Sequence, residues 1–214
     1  YYYGTEFLLC PEKRGRPSRN MRRIESRSNE TIKSIAKLSD RAERERRRRF
    51  FFEGAHLLKE YLRAGLTPET VLCTEAAATR YAALLGTIPE DRLIEVPEQV
   101  YQKISAEKAP QGLFTVSAFL PQVRPFDAAA CPRMEGPAVL LESVRDCGNV
   151  GTVLRSAAAF GGSVLLSADC ADVYAHKTVR ASMGALFYGS VWICEDPAAA
   201  VRTLREAGRR VWAA

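Results

Sequence analysis

The stretch Asp146 to Gly161, DCGNVGTVLRSAAAFG, gathers a carboxylate, an amide and a guanidinium around a glycine-rich turn. It follows the apolar run PAVLLESV and opens an alanine-rich segment of helical spacing, so it reads as a strand–turn–helix junction. The chemistry available at such a junction is anion binding. The first amides of a helix lack intrahelical acceptors, and the helix dipole puts partial positive charge at the same end. Asn149 is suited to be the N-cap, since its side-chain oxygen can accept from a free amide of the first turn. Gly148 and Gly151 permit close backbone approach and unusual dihedrals. Arg155 lies six residues after Asn149, less than two turns along, and can reach back to add a forked phosphate contact.

Two other readings of the same letters stand beside this one. A dinucleotide-binding turn requires G-x-G-x-x-G, whereas GNVGTVL supplies G-x-x-G, and no acidic residue follows in the right frame. A purely structural turn would leave Arg155 on a solvated face. Cys147 has no histidine close in sequence and reads as a small buried residue rather than a nucleophile. His56 has no ligand partner at i+3 or i+4 and reads as a structural or surface residue. The six cysteines are scattered without a C-x-x-C pair, which speaks against a zinc site or a disulfide scaffold and fits a reducing cytoplasm. No metal site is expected.

Charge points to a polyanionic partner. Residues 1–49 carry 15 of the 31 Lys+Arg and 7 of the 25 Asp+Glu, a net +8, while residues 50–214 carry a net −2. The excess is densest in RAERERRRRF, where Arg46, Arg47, Arg48 and Arg49 are consecutive. Such a run exceeds what a solvated helix face needs and suits the phosphates of a nucleic acid. Lys177 and Arg180, beside His176, are further candidate phosphate contacts. No apolar run approaches the ~18 residues that span a bilayer, so no membrane partner is expected.

The elements that must position these residues alternate strand and helix. Asn29 or Thr31 can cap one helix over ETIKSIAKLSDRAERER; RFFFEG, TVLCT, RLIEV and QGLFTVSAFL read as strands with helices between them. That makes residues 21–120 a small α/β domain. The proline-rich run over 121–136 reads as a linker. Over 137–214 the strand AVLLESV is of the parallel-sheet kind and is followed by a helix, GSVLLSA, a helical segment, SVWIC, a last helix and RVWAA, read as a buried strand. Residues 1–20 precede Met21 without clear periodicity and read as an upstream or disordered segment. The chain reads as cut short within its last strand.

Several separated motifs carry a resemblance. RFFFEGAHLLKEYLRAG, LLESVRDCGNVGTVLRSAAAFG and DVYAHKTVRASMGALF, in this order along the chain, resemble segments of the SpoU, or TrmH-like, RNA 2′-O-methyltransferases, over roughly Met21 to the end. The resemblance implies a ribosomal-protein-like α/β RNA-binding domain followed by a SPOUT methyltransferase domain, here incomplete and without its trefoil knot. It implies S-adenosylmethionine as cofactor, ribosomal RNA as partner and a homodimer for the full-length protein. Asn149 and Arg155 match the family's first-motif Asn and Arg, with Arg155 handling the ribose hydroxyl and neighbouring phosphate. Cys147 stands where the family usually has Pro, and the family's second and third signatures, which form most of the cofactor pocket, are not in this chain. The expectation is therefore a fragment inactive alone; the alternatives are a non-catalytic RNA-binding protein of the same fold and a nucleotide-dependent oxidoreductase.

Overall fold

A computed structural model of the chain describes residues 21–127, 129, 134 and 136–213. The segment expected over residues 1–20 and part of the linker lie outside the described residues.

The N-terminal half begins with β1 (Arg22–Arg23), α1 (Glu30–Ala36) and α2 (Arg41–Arg47). Asn29 caps α1, accepting from Thr31 N at 2.9 Å. The single helix expected over Glu30 to Arg46 is broken at Asp40, which adopts extended backbone and accepts from Ala42 N at 2.7 Å. A residue that competes locally for backbone amides starts a new helix rather than continuing the old one. Then come β2 (Arg49–Glu53), α3 (Ala55–Arg63), β3 (Thr70–Cys73), α4 (Glu75–Arg80) and α5 (Ala82–Leu85). β4 (Leu93–Glu95), α6 (Glu98–Ile104) and β5 (Leu113–Ala118) complete a five-stranded mixed sheet of order β1-β4-β3-β5-β2.

The second half builds a parallel sheet from β6 (Val123–Pro125), β7 (Ala138–Leu141), β8 (Ser163–Ser167) and β9 (Ser190–Cys194), in the order β6-β9-β8-β7. Its helices are α7 (Cys147–Ala159), α8 (His176–Ala181) and α9 (Pro197–Glu206). Residues 121–136 are thus not all linker. Val123–Pro125 pairs with Val191–Ile193, and Pro125, which has no amide to donate, sits on an edge strand as such a residue must. The strand expected in RVWAA is absent over 210–213. A strand needs a ladder partner. Here Arg209 is tied instead to the carbonyls of Met134 and Gly136, Val211 packs on the outer core, and Trp212 is 85% exposed.

Side-chain alternation explains why the strands are so apolar. Phe50 and Phe52 of β2 point into the layer between the two sheets, while Phe51 points into the outer layer with α1 and α6. In β8 and β9, Val164, Leu166 and Val191 face that same middle layer, and Leu165 and Trp192 face α9. Strands buried on both faces read as continuous hydrophobic runs. The middle layer joins the halves: Phe187 of the second half packs on Phe52 and Tyr61 of the first at 5.2 and 5.1 Å between ring centroids. Among the described residues no helix is long and apolar enough to cross a membrane.

One glycine is demanded by packing. A Cβ on Gly151 of α7 would lie 2.5 Å from Ala181 Cβ and 2.8 Å from the Thr178 carbonyl oxygen of α8. Helix propensity favours alanine over glycine by about 1 kcal/mol, but overpacking against backbone costs about 1–3 kcal/mol. Gly151→Ala should therefore lower the thermal midpoint by several degrees, and a midpoint equal to or above wild type would refute the close α7–α8 contact.

Candidate functional site

The glycine-rich turn folds around a different cap from the one its letters suggested. Asp146, in extended backbone, accepts from Asn149 N at 2.7 Å, so α7 starts at Cys147 and Asn149 is already its third residue. The carboxylate wins because it is charged, sits at the positive end of the helix dipole and lies three residues upstream of the amide it satisfies. Asn149 keeps its own side chain exposed. Gly151 is occupied by α8 rather than kept open for a ligand, and Cys147 is half-buried at the start of the helix. Arg155 is exposed, and among the described residues no carboxylate or carbonyl engages its guanidinium. It stands ~9 Å along the helix from Asn149. Side chains on a helix lean toward the N-terminus, so a long one can reach back toward the turn.

The loop before α7 is tied to the neighbouring strand. Ser143 holds a left-handed φ of 55°. Its amide donates to Ser167 Oγ at 2.9 Å, and its hydroxyl donates to Asp169 at 2.6 Å. Ser167 donates to the other oxygen of Asp169 at 2.6 Å. These hydrogen bonds, Ser143's first, hold the Asp169 carboxyl below its ordinary range. The β7–α7 turn is thereby fastened to the C-terminal end of β8. Nothing in the sequence pattern marked Ser143, Ser167 or Asp169.

The basic run does not form one surface. Arg46 is exposed and paired with Glu43 at 2.9 Å. Arg47, its side chain 18% exposed, is held by Glu43 and by the Ser34 carbonyl. Arg49 pairs with Glu69. Arg48 has no carboxylate partner among the described residues; it caps α2 in the left-handed region, with its guanidinium 4.5 Å over the Phe119 ring. On α8, packed directly against α7, Lys177 is exposed and has no carboxylate partner among the described residues, whereas Arg180 pairs with Glu107 at 2.8 Å. The structure thus gathers Asn149 and Arg155 on one helix, with Lys177 and Arg180 on its neighbour, while Arg46 to Arg49 run from the end of α2 into β2.

Two buried cysteines are poorly disposed to act as nucleophiles: desolvation pushes the Cys73 thiol up to about 12 and raises Cys194 as well.

Comparison with known proteins matches both halves. Residues 29–115 fit the MRM3-like substrate binding domain, and residues 136–214 fit the SpoU rRNA Methylase family. A solved structure of a TrmH-family protein from Porphyromonas gingivalis is 32% identical, with a TM-score of 0.69 over 85% of this chain and 68% of that one. The chain belongs to the SpoU/TrmH family. An AdoMet-bound rRNA methyltransferase from Sinorhizobium meliloti shares the fold with a TM-score of 0.71 and 26% identity, covering 87% of this chain and 69% of that one. The 23S rRNA (guanosine(2553)-2′-O)-methyltransferase of Bacillus subtilis is 30% identical over 170 residues, 78% of this chain and 63% of that protein. The chain spans 34% to 63% of the length of the curated relatives it matches.

In this SpoU/TrmH-family chain a buried polar cluster fastens α8 to the first sheet. Glu53, its side chain 2% exposed, accepts from Tyr101 OH at 2.8 Å, Ser105 Oγ at 2.7 Å and Ala106 N at 2.7 Å. His176 stacks on Phe51 with ring centroids 5.5 Å apart, and its Nε2 lies 3.1 Å from Glu107 and 3.9 Å from Glu53. Burial lowers the His176 pKa, and the two carboxylates oppose but do not cancel that effect. The imidazole is then neutral in the fold at pH 7, with its Nε2 beside Glu107. In the unfolded chain it protonates near pH ~6.5. Below that pH the unfolded state binds the extra proton, so stability is lost as pH falls from about 6.5 towards the lower pKa of the folded imidazole. Urea unfolding at successive pH values across that window should show this loss in the wild type and a smaller one in His176→Asn; identical pH slopes would overturn the assignment.

Proposed function

We propose that the protein containing this chain is an S-adenosylmethionine-dependent methyltransferase acting on a ribose 2′-hydroxyl of RNA, with ribosomal RNA as the substrate class. The observation that carries this reading is Arg155: an exposed guanidinium without a carboxylate or carbonyl partner among the described residues, on the helix whose first turn carries Asn149, inside the segment matched to the SpoU rRNA Methylase family. The activities in the names of the Bacillus and Sinorhizobium relatives support it.

A ribose hydroxyl is a poor nucleophile and must lose its proton as it attacks. A guanidinium is ill suited to accept that proton, because its pKa is normally above 12. Arg155 instead grips the adjacent RNA phosphate and stabilises negative charge building on the hydroxyl oxygen. Asn149, with a donor and an acceptor on one exposed amide, orients the ribose beside it. S-adenosylmethionine supplies the electrophilic methyl group when bound. Four clefts of about 230 to 380 Å³ lie among the described residues, and none is lined by Asn149 or Arg155. A homodimer is the assembly this reading carries.

Further RNA contacts fall to the cations. Arg48 and Lys177 are free to meet phosphates, whereas Arg46, Arg49 and Arg180 would exchange a carboxylate for one, and Arg47 is engaged in the fold. Arg155→Ala in the whole protein should lower methyl transfer to ribosomal RNA by about 100-fold or more, the scale for losing a charge-stabilising donor. Cofactor affinity measured by calorimetry should stay near wild type. Retained turnover would sink the role of Arg155. Tight RNA binding without any methyl transfer by the unaltered protein would point to a non-catalytic RNA-binding protein of the same fold.

A further inference from the structure

A cleft of about 380 Å³ separates α2 from the C-terminal ends of β6, β8 and β9. In open parallel α/β sheets the carboxyl ends of the strands are where ligands settle. This cleft lies on the same sheet edge as the β7–α7 turn. Because the strand order is β6-β9-β8-β7, β9 is two strand spacings, ~10 Å, from β7.

One wall of the cleft is a three-layer stack. The Tyr174 ring lies on Phe119 with centroids 3.9 Å apart and planes 13° from parallel. With that face of Phe119 covered, the Arg48 guanidinium takes the other, 4.5 Å from the ring centroid. Backbone pins each layer. Phe119 N donates to the Arg48 carbonyl at 2.9 Å, and Leu120 N donates to Tyr174 OH at 2.8 Å.

Three carboxylates among the described residues line the cleft, and two of them, all but the exposed Glu195 across from α2, are spent on arginines. Asp172 is held by Arg44 at 2.7 Å, and Glu45 by Arg41 at 2.7 Å. Arg48 alone of the cleft's α2-side arginines has no carboxylate. It also holds φ 56°, ψ 39° at a helix cap, where glycine is the unstrained residue. An exposed guanidinium held over a ring, with no carboxylate among the described residues, at such a position is a site signature rather than a packing solution.

We propose that this cleft is an RNA subsite, taking a phosphodiester and its neighbouring base a short distance along the strand from the ribose to be methylated. The free donor edge of Arg48 forks onto the phosphate, and its open outer face stacks against the base, with Phe119 and Tyr174 as the rigid backing. The subsite rests on the RNA reading above and adds to it a location and a mode of contact.

The test is fluorescence anisotropy with a fluorescein-labelled single-stranded oligouridylate, titrated at several salt concentrations with the full protein. Arg48→Gly should keep the melting temperature near wild type, because glycine adopts the left-handed cap without strain. It should weaken binding by about tenfold at low salt and reduce the salt slope by about 1, the loss of one phosphate contact. Phe119→Leu, which keeps the charge and removes its backing ring, should weaken binding by about two- to fivefold. Arg205→Ala on α9, on the far side of the second sheet, should stay within about twofold of wild type, as a phosphate-independent position does. If Arg48→Gly binds as Arg205→Ala does, the subsite is wrong, even where Arg155→Ala still abolishes methyl transfer. If the unaltered protein has no affinity for RNA, the substrate reading falls and the subsite with it.

Discussion

A single buried guanidinium constrains how the two halves of this chain meet. Arg44 is almost fully enclosed, and each of its donor groups is satisfied: Nε and Nη2 by Asp172 at 3.1 and 2.7 Å, Nη1 by the Leu38 and Ser39 carbonyls at 2.8 Å each. A charge taken out of water must be paired and hydrogen-bonded, and removing one partner of such a pair costs about 3–5 kcal/mol. The consequences reach in both directions. The two carbonyls come from the turn that interrupts the helix between α1 and α2, so that break is part of the site Arg44 occupies. Asp172 begins the loop into α8 and also accepts from Tyr174 N at 2.9 Å, which sets the ring that backs Phe119. The ion pair thus orients α8, the helix that lies against α7.

Around this pair the interface combines an apolar layer with a second polar fastening. Phe50, Phe52, Tyr61 and Phe187 supply the burial, and Phe50 also contacts Tyr174 at 4.9 Å. Burial is non-directional, so by itself it would tolerate sliding of one sheet over the other. The Glu53 cluster and the Arg44–Asp172 pair are directional, and both end on α8 or its approach. α7 inherits the resulting position through the tight contact at Gly151. Placement of Arg155 is therefore the last step of a chain that starts in the N-terminal sheet.

Much of the fold was legible in the letters. Phe50 to Phe52, Thr70 to Cys73 and Leu113 to Ala118 are short apolar runs bounded by turn residues, and each is a strand. The helix after DCGNVG was legible from its alanine-rich spacing, and Arg155 from its place on it. Less was legible where two local rules compete. Asn149 and Asp146 are both good caps, and the choice depended on which carried charge at the helix end and had the reach. Val123 to Pro125 lay among prolines and read as linker, because a strand on a sheet edge leaves almost no periodic signal in three residues.

Sequence by itself determined the family, the alternating strand–helix order and the candidate pair Asn149 and Arg155, because these rest on local spacing and on motifs contiguous in the chain. Only the tertiary structure decided what became of the arginines. Arg44, unremarked among its neighbours, is buried and structural; Arg47 is held by Glu43 and Ser34; Arg48 is left unpaired over Phe119, seventy-one positions away in the chain. Charge is a property of composition, but whether a charge is free to bind depends on which carboxylates and carbonyls the fold brings within reach, and those come from distant segments.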